Sequence, residues 1–273
     1  MKRSHRLVDL TNFFLENPRV SRNLNYFAET YNSAKSSISE DLDIVNEVFE
    51  TKGIGYIKRN PGAAGGASFI PELSHEHGME FINHLCHKLE DPLRILPGDY
   101  LYMSDLLGEP QTVREIGRVL ASKFSADDID AIVTVETKGI PLAYAVASFL
   151  SVPTVIARRN PKVTEGSSVS INYVSGSSRK IQTMVLPKRS LTEGSNVCII
   201  DDFMKAGGTI TGMVSLLKEF NANVKAIGVL AEADDEEDER SVEDYVSLIK
   251  ISDLDIKNGT IQTQPGTYEQ KSK

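Results

Sequence analysis

Residues 197–212 read VCIIDDFMKAGGTITG, and the reading of the fold turns on them. Val197–Ile200 form a short, continuous apolar run, the pattern of a strand buried on both faces. It ends in adjacent carboxylates, Asp201 and Asp202. Two like charges at a strand end raise one another's pKa unless they are solvated or engaged. Carboxylates accept hydrogen bonds, so their natural partners are hydroxyls or a divalent cation, and the vicinal diol of a ribose offers two donors. After Phe203 and Met204 come Lys205, Ala206, Gly207, Gly208 and Thr209, which open a helix over about 208–220. Glycines let main-chain N–H groups turn inward and approach a ligand closely. A helix N-terminus favours a phosphate by about 0.3–1 kcal/mol at an exposed site. Sugar acceptors upstream and a phosphate cradle downstream describe a ribose 5-phosphate pocket. The plainer alternative is a strand-to-helix turn with a solvated Asp pair and a glycine cap.

The surrounding chain supplies a matching context. From about residue 93 to 235, apolar strands (131–135, 154–157, 197–200 and VKAIGVLAE) alternate with helical patterns (QTVREIGRVLASKF, IPLAYAVASFL, GTITGMVSLLKEF). Strands without polar alternation, separated by helices, indicate an α/β fold with a parallel sheet covered on both faces. In such sheets ligands bind beyond the carboxyl ends of the strands. A second strand-to-helix junction, VTVETKGIPLA, brings Glu136, Thr137, Lys138 and Gly139 to that end, and Lys138 beside a helix N-terminus suits a pyrophosphate. The acidic run 234–239 reads as a solvated loop or helix start. The tail beyond about 256 is expected to form an edge strand or to fray.

Residues 1–74 have a different grammar and are read as a separate domain, with 75–273 as the second. Leu7, Leu10 and Phe14, then Leu24, Phe27 and Tyr31, then Ile38, Leu42, Val45 and Phe49 mark three helical faces. Ser37 and Glu40 have capping-box spacing near the start of the third helix. Two short strands, about 54–59 and 67–71, flank a Pro/Gly-rich loop. Three helices and a hairpin make the plan of a winged helix-turn-helix. In that plan Lys35, Ser36, Ser37 and Ser39 approach the major groove, and Lys58 and Arg59 of the wing approach the DNA backbone. A small α+β dimerisation domain fits the same pattern, and the acids of the third helix would be unwelcome near phosphates.

Composition narrows the options further. The 273 residues carry a net charge of −8, while residues 1–74 are neutral, with nine Lys/Arg against nine Asp/Glu. The global charge argues mildly against nucleic acid, so the placement of the basic residues must carry that case. No apolar run reaches membrane-spanning length, and MKRSHRLVDLTNFFLENP reads as an amphipathic helix rather than a signal peptide. Cys86 and Cys198 form no CxxC pair, which suggests a reducing, cytoplasmic setting. Four of the five histidines fall in a helix over 74–92 that links the halves; His84 and His87 lie one turn apart, but no zinc-type ligand set completes them, and no metal site is expected.

IIDDFMKAGGT resembles the PRPP (5-phosphoribosyl-1-pyrophosphate) motif of type I phosphoribosyltransferases, with Ala206 where Thr is more usual, and ETKG resembles their pyrophosphate loop. The likeness covers about 93–250 and implies a flavodoxin-like parallel sheet and a mobile loop at 158–184. Together with the winged-helix front and the run KVTEGSSVSINYVSGSS, the whole chain resembles the purine operon regulator family (PurR) of Gram-positive bacteria. That resemblance implies a homodimer that binds operator DNA and senses PRPP, with or without Mg2+, through a non-catalytic pocket formed by Asp201–Thr209 and Thr137–Gly139. It also implies that guanine alarmone nucleotides compete for the pocket. Arg158, Arg159, Lys162, Arg179 and Lys180 are expected to add phosphate contacts to DNA. No segment reads as a hood to hold a nucleobase, and Lys205 is bulky for an enzyme loop. The alternative is a purine phosphoribosyltransferase enzyme.

Overall fold

The computed structural model describes residues 1–60, 66–97, 100–160, 166–174, 181–233, 242–255 and 258–270. The chain divides into compact units, the first built on Met1–His75 and the second on Glu76–Ala147 with Val152–Lys273.

The first unit contains α1 (Arg3–Glu16), a two-residue strand β1 (Arg22–Asn23), α2 (Leu24–Tyr31), α3 (Lys35–Thr51), and the wing strands β2 (Gly55–Arg59) and β3 (Gly66–Pro71). The helical stripes meet in one core of Leu10, Phe14, Phe27, Tyr31, Ile38, Leu42, Val45 and Phe49, closed by Ile57, Ala67 and Phe69 from the wing. Each buried apolar side chain of this size contributes about 1.5–3 kcal/mol. Asn23 caps α2 by accepting from the Asn25 N–H at 2.8 Å. Asn32, in the left-handed region at φ 47°, ends α2 and turns the chain into α3. The capping box at Ser37 and Glu40 is not used: α3 starts earlier, at Lys35, behind Ala34, which makes no side-chain cap. The wing is an antiparallel ladder from Gly55 opposite Pro71 to Arg59 opposite Ala67.

The second unit opens with α4 (His75–Leu89), a short ribbon of β4 (Ile95–Leu96) and β5 (Tyr100–Leu101), α5 (Ser104–Gly108) and α6 (Pro110–Ala121). The remaining elements are β6 (Ala131–Val135), α7 (Gly139–Leu150), β7 (Thr154–Ala157), β8 (Ser168–Val174), β9 (Ile181–Pro187), β10 (Asn196–Met204), α8 (Gly208–Lys218), β11 (Asn223–Ala233), β12 (Val246–Asp255) and β13 (Thr260–Pro265). The sheet order is β13-β12-β11-β10-β6-β7, parallel except for β13. Counting only the parallel strands, this is the flavodoxin-like order 2-1-3-4-5, whose switch point lies between β6 and β10. β6 is buried along its whole length, as its unbroken apolar run requires.

Two expectations need correction. The stretch 158–184 is not simply a loop: β8 and β9 pair as an antiparallel hairpin, from Ser168 opposite Pro187 to Val174 opposite Ile181. Consequently not every crossover is helical, because this hairpin stands between β7 and β10. The tail does form an edge strand, β13, after which Tyr268 is buried beside Gly78, where even a Cβ would come within 2.2 Å of its hydroxyl. The acidic run 234–239, Lys162, Arg179 and Lys180 lie outside the described residues.

Candidate functional site

β6 and β10 run side by side at the switch point, their last pair being Ile199 with Val133; β6 ends at Val135, and β10 continues through Asp201 and Asp202 to Met204. They border a cavity of about 850 Å³. Thr137 and Lys138 line it from one loop, and Asp201 through Thr209 from the other. Gly139 stands at the base of the first loop rather than in the wall. A Cβ there would come within 2.3 Å of the Thr134 hydroxyl and 3.0 Å of Asp201 Oδ1, so only glycine permits this approach to β10. Gly207 adopts φ 83°, a left-handed conformation, and caps the N-terminus of α8. The Glu136–Thr137 peptide bond is cis.

The Asp pair is not symmetric. Asp201 is buried, and its Oδ1 accepts the Asp202 N–H at 2.9 Å. Burial, and then the neighbouring Asp202 charge, push its carboxyl well above the ordinary carboxylate range. Asp202 is more accessible, and burial raises its pKa as well, while its link to Asp201 and the charge of Lys138 pull the other way. Burial is thus the first cause of the raised pKa at both carboxylates.

Several lining residues escaped the sequence reading. Tyr100, Leu101 and Met103 form one wall, and Ile251, Ser252, Asp253 and Leu254 of β12 another. Tyr173 and Gln182 enter from the hairpin. The Tyr173 hydroxyl donates to Gln182 Oε1 at 3.0 Å, and its ring lies on α8, within 2.8 Å of where a Cβ of Gly212 would stand. The signal for β8 was present as the alternation of Val169, Ile171 and Tyr173, which is the period of a strand with one buried face. Arg159 also lines the cavity. Its main-chain N–H donates to Glu136 Oε1 at 2.7 Å, while Arg158 Nη1 stands 3.5 Å from Glu136 Oε2. Arg158 and Val185 exchange main-chain hydrogen bonds, so the hairpin base, the Arg158–Arg159 segment and the Glu136 loop form one connected network. The Arg158 side chain thus has a partner within the second unit, which weighs against the expectation that it serves DNA.

In the first unit, Lys35 and Ser36 are exposed at the start of α3, with Ser37 and Ser39 half-buried, and Lys58 and Arg59 are exposed on β2. Two acids of α3, Asp41 and Asp43, are paired with arginines of the same unit. Asp41 is fully buried and paired to Arg6, itself buried, and to Arg3 at 2.9 Å. Arg6 also donates to Ser33 Oγ at 3.0 Å. Arg59 pairs with Asp43 at 2.7 Å. Among the described residues, no group of three or more His, Cys, Asp or Glu side chains is disposed to hold a metal, and no helix is long and apolar enough to cross a membrane.

Comparison with known proteins fits both halves of this geometry. Residues 2–71 match the family described as "Bacterial purine repressor, N-terminal", and residues 103–265 match "Phosphoribosyl transferase domain". The chain is 55% identical to the purine biosynthesis transcriptional repressor PurR of Bacillus subtilis, over 98% of this chain and 93% of that protein. It is 46% identical to the purine biosynthesis transcriptional activator PurR of Lactococcus lactis, over 97% of this chain and 98% of that protein. Among solved structures, adenine phosphoribosyltransferase from Thermoanaerobacter pseudethanolicus aligns with a TM-score of 0.53 at 22% identity, over 61% of this chain and 98% of that one, a likeness of fold alone.

Proposed function

This chain belongs to the family of bacterial purine biosynthesis transcriptional regulators, and on that premise we propose how it works: the β6–β10 cavity binds PRPP, and its occupancy changes the affinity of a homodimer for operator DNA. The chain is a DNA-binding transcriptional regulator rather than an enzyme, built from a winged helix and a phosphoribosyltransferase-fold unit. The observation that carries the PRPP reading is the convergence of Asp201–Thr209 with Thr137 and Lys138 on one cavity.

In this reading the ribose hydroxyls donate to Asp202 and Asp201, offsetting the burial that raises both carboxyls and the Asp202 charge that adds to it at Asp201. The 5-phosphate sits on the N–H groups at the start of α8, with Gly207 shaping the turn and Thr209 adding a hydroxyl. The pyrophosphate lies toward Lys138 and Arg159, which supply positive charge. Mg2+ would arrive on the pyrophosphate, since no protein-built cluster of three ligands is present among the described residues. Guanine alarmone nucleotides, which also carry clustered phosphates on a ribose, would compete for the same seat.

PRPP can act as a signal only by its different affinity for the DNA-binding and non-binding states, typically about 1–3 kcal/mol or 5–150-fold. The relatives' names include both a repressor and an activator, so the same two-unit plan serves either sign of control. Two winged helices of a cytoplasmic homodimer would meet related half-sites of the operator. The test is an operator gel shift titrated with PRPP, run beside an assay for nucleobase-dependent PRPP consumption. A PRPP-dependent shift without turnover is expected; robust consumption would favour a purine phosphoribosyltransferase.

A further inference from the structure

We infer that Arg59 is a positioning residue of the DNA-binding unit, a clamp that holds the wing strand against α3 and masks Asp43, rather than a contact to DNA phosphate. The inference rests on the DNA-binding reading of this unit and revises the role expected for Arg59 from sequence. Its guanidinium donates from Nη1 to Ser39 Oγ at 2.9 Å and from Nη2 to the Ser39 carbonyl at 2.8 Å and to Asp43 Oδ1 at 2.7 Å. Three acceptors on one helix thus engage one planar donor fork, a geometry that a lysine ammonium cannot reproduce.

The clamp belongs to a longer seam. Ser39, Asp43 and Asn46 are spaced i, i+4, i+7 and share one face of α3. Asn46 Oδ1 accepts the Ile57 N–H at 2.6 Å, and Ile57 and Arg59 lie two residues apart along β2. The seam therefore runs from Ile57 to Arg59, and Arg59 sits at the last ladder pair of the strand, opposite Ala67. An isolated exposed ion pair is worth little. Here the guanidinium also binds a main-chain carbonyl and a hydroxyl, so it fixes strand against helix and does more than match a charge. It also answers the difficulty that an exposed acid in a reading helix raises: Asp43 would repel phosphate, and Arg59 offsets its charge within the unit.

The experiment is fluorescence anisotropy of the full chain on a duplex taken from a purine biosynthesis promoter, across a salt series. The proteins are wild type, Arg59→Ala, Arg59→Lys, Asp43→Asn and the Arg59→Ala/Asp43→Asn double variant. As a clamp, Arg59→Ala should weaken binding about tenfold without changing the slope of log affinity against log salt, because no phosphate partner is lost. Arg59→Lys should lose nearly as much despite keeping its charge. The double variant should recover about threefold over Arg59→Ala, since the unmasked acid is gone. A slope smaller by about 0.9 in Arg59→Ala, with Arg59→Lys close to wild type, would identify a phosphate contact and overturn the proposal. If Arg59→Ala does not fold, the Arg59→Lys affinity decides alone: near wild type refutes the clamp, near-tenfold loss supports it. Wild type that fails to bind the promoter would overturn the DNA-binding reading itself, a result distinct from any of these.

Discussion

The acids of α3 and the acids at the end of β10 are handled in opposite ways. Asp41 and Asp201 are both buried, yet Asp41 faces two arginines while the nearest charge to Asp201 is another carboxylate. Asp43 and Asp202 are the more accessible members of each pair; Asp43 is held by Arg59, whereas Asp202 is helped by its link to Asp201 and, through space, by the charge of Lys138. Where the protein supplies the counter-charge itself, the acid is structural. Where carboxylates face each other at the mouth of a cavity, we propose that a ligand's hydroxyls complete them. This contrast separates the two places more sharply than burial does, because Asp41 and Asp201 are both buried.

Substitutions should therefore move stability and function in opposite directions at the two places. The largest effect is expected from Asp41→Ala, which strands Arg6 without its partner inside the first unit. Breaking one side of a buried ion pair typically costs about 3–5 kcal/mol. Denaturant unfolding should show the first unit destabilised and operator binding lost, with PRPP affinity retained by calorimetry. Asp202→Ala should do the reverse. Loss of charge-assisted hydrogen bonds, about 1.5–3 kcal/mol, predicts PRPP affinity lower by roughly 10–150-fold. Ligand-free stability should hold or rise by about 1 kcal/mol, because a poorly compensated carboxylate is gone, and basal operator binding should persist.

The pH dependence sharpens the same contrast. Because the folded-state pKa values of Asp201 and Asp202 are raised, the native protein binds more protons than the unfolded chain between the ordinary carboxylate value and the raised one. Their contribution to ligand-free stability should decrease as pH rises through that window and level off above it. PRPP affinity should increase across the same window, since the ligand's hydroxyls need the ionised acceptors. Thermal melts and calorimetry at matched pH values, with Asp202→Ala as the control, would reveal the opposed trends; parallel trends would break the comparison.

A smaller effect is expected at Tyr173. Tyr173→Phe keeps the ring against Gly212 but removes the hydroxyl that faces Gln182 and the cavity, and should weaken PRPP binding about fivefold, the scale of about 1 kcal/mol for one hydrogen bond. The smallest is Lys35→Ala at the exposed start of α3. It should reduce operator affinity a few-fold at low salt and the salt slope by about 0.9, while PRPP affinity stays unchanged.

Much of this was readable before any coordinates, for identifiable reasons. The runs at 131–135 and 197–200 have no polar alternation, so their burial in a parallel sheet follows from composition alone. The Asp–Asp and Gly–Gly–Thr spacing located one side of the cavity because both loops are contiguous in sequence. What stayed hidden depends on distance along the chain. Arg6 and Asp41 are 35 residues apart, and nothing local ties them. Tyr100 and Ile251–Leu254 reach the cavity through strand order, which periodicity does not encode. The hairpin at 168–187 was obscured by its polar residues, although every second residue from Val169 to Tyr173 is apolar. The capping-box spacing at Ser37 and Glu40 misled only locally, since the helix is already under way from Lys35 and does not use that cap.

The central claim is that the mouth between β6 and β10 is the seat of the sugar phosphate. A crystal structure of the protein soaked with PRPP tests it most directly. The account predicts the ribose hydroxyls on Asp202 and Asp201, with the 5-phosphate on the main chain of Gly207–Thr209. Well-ordered PRPP bound elsewhere, with this cavity empty, would contradict it.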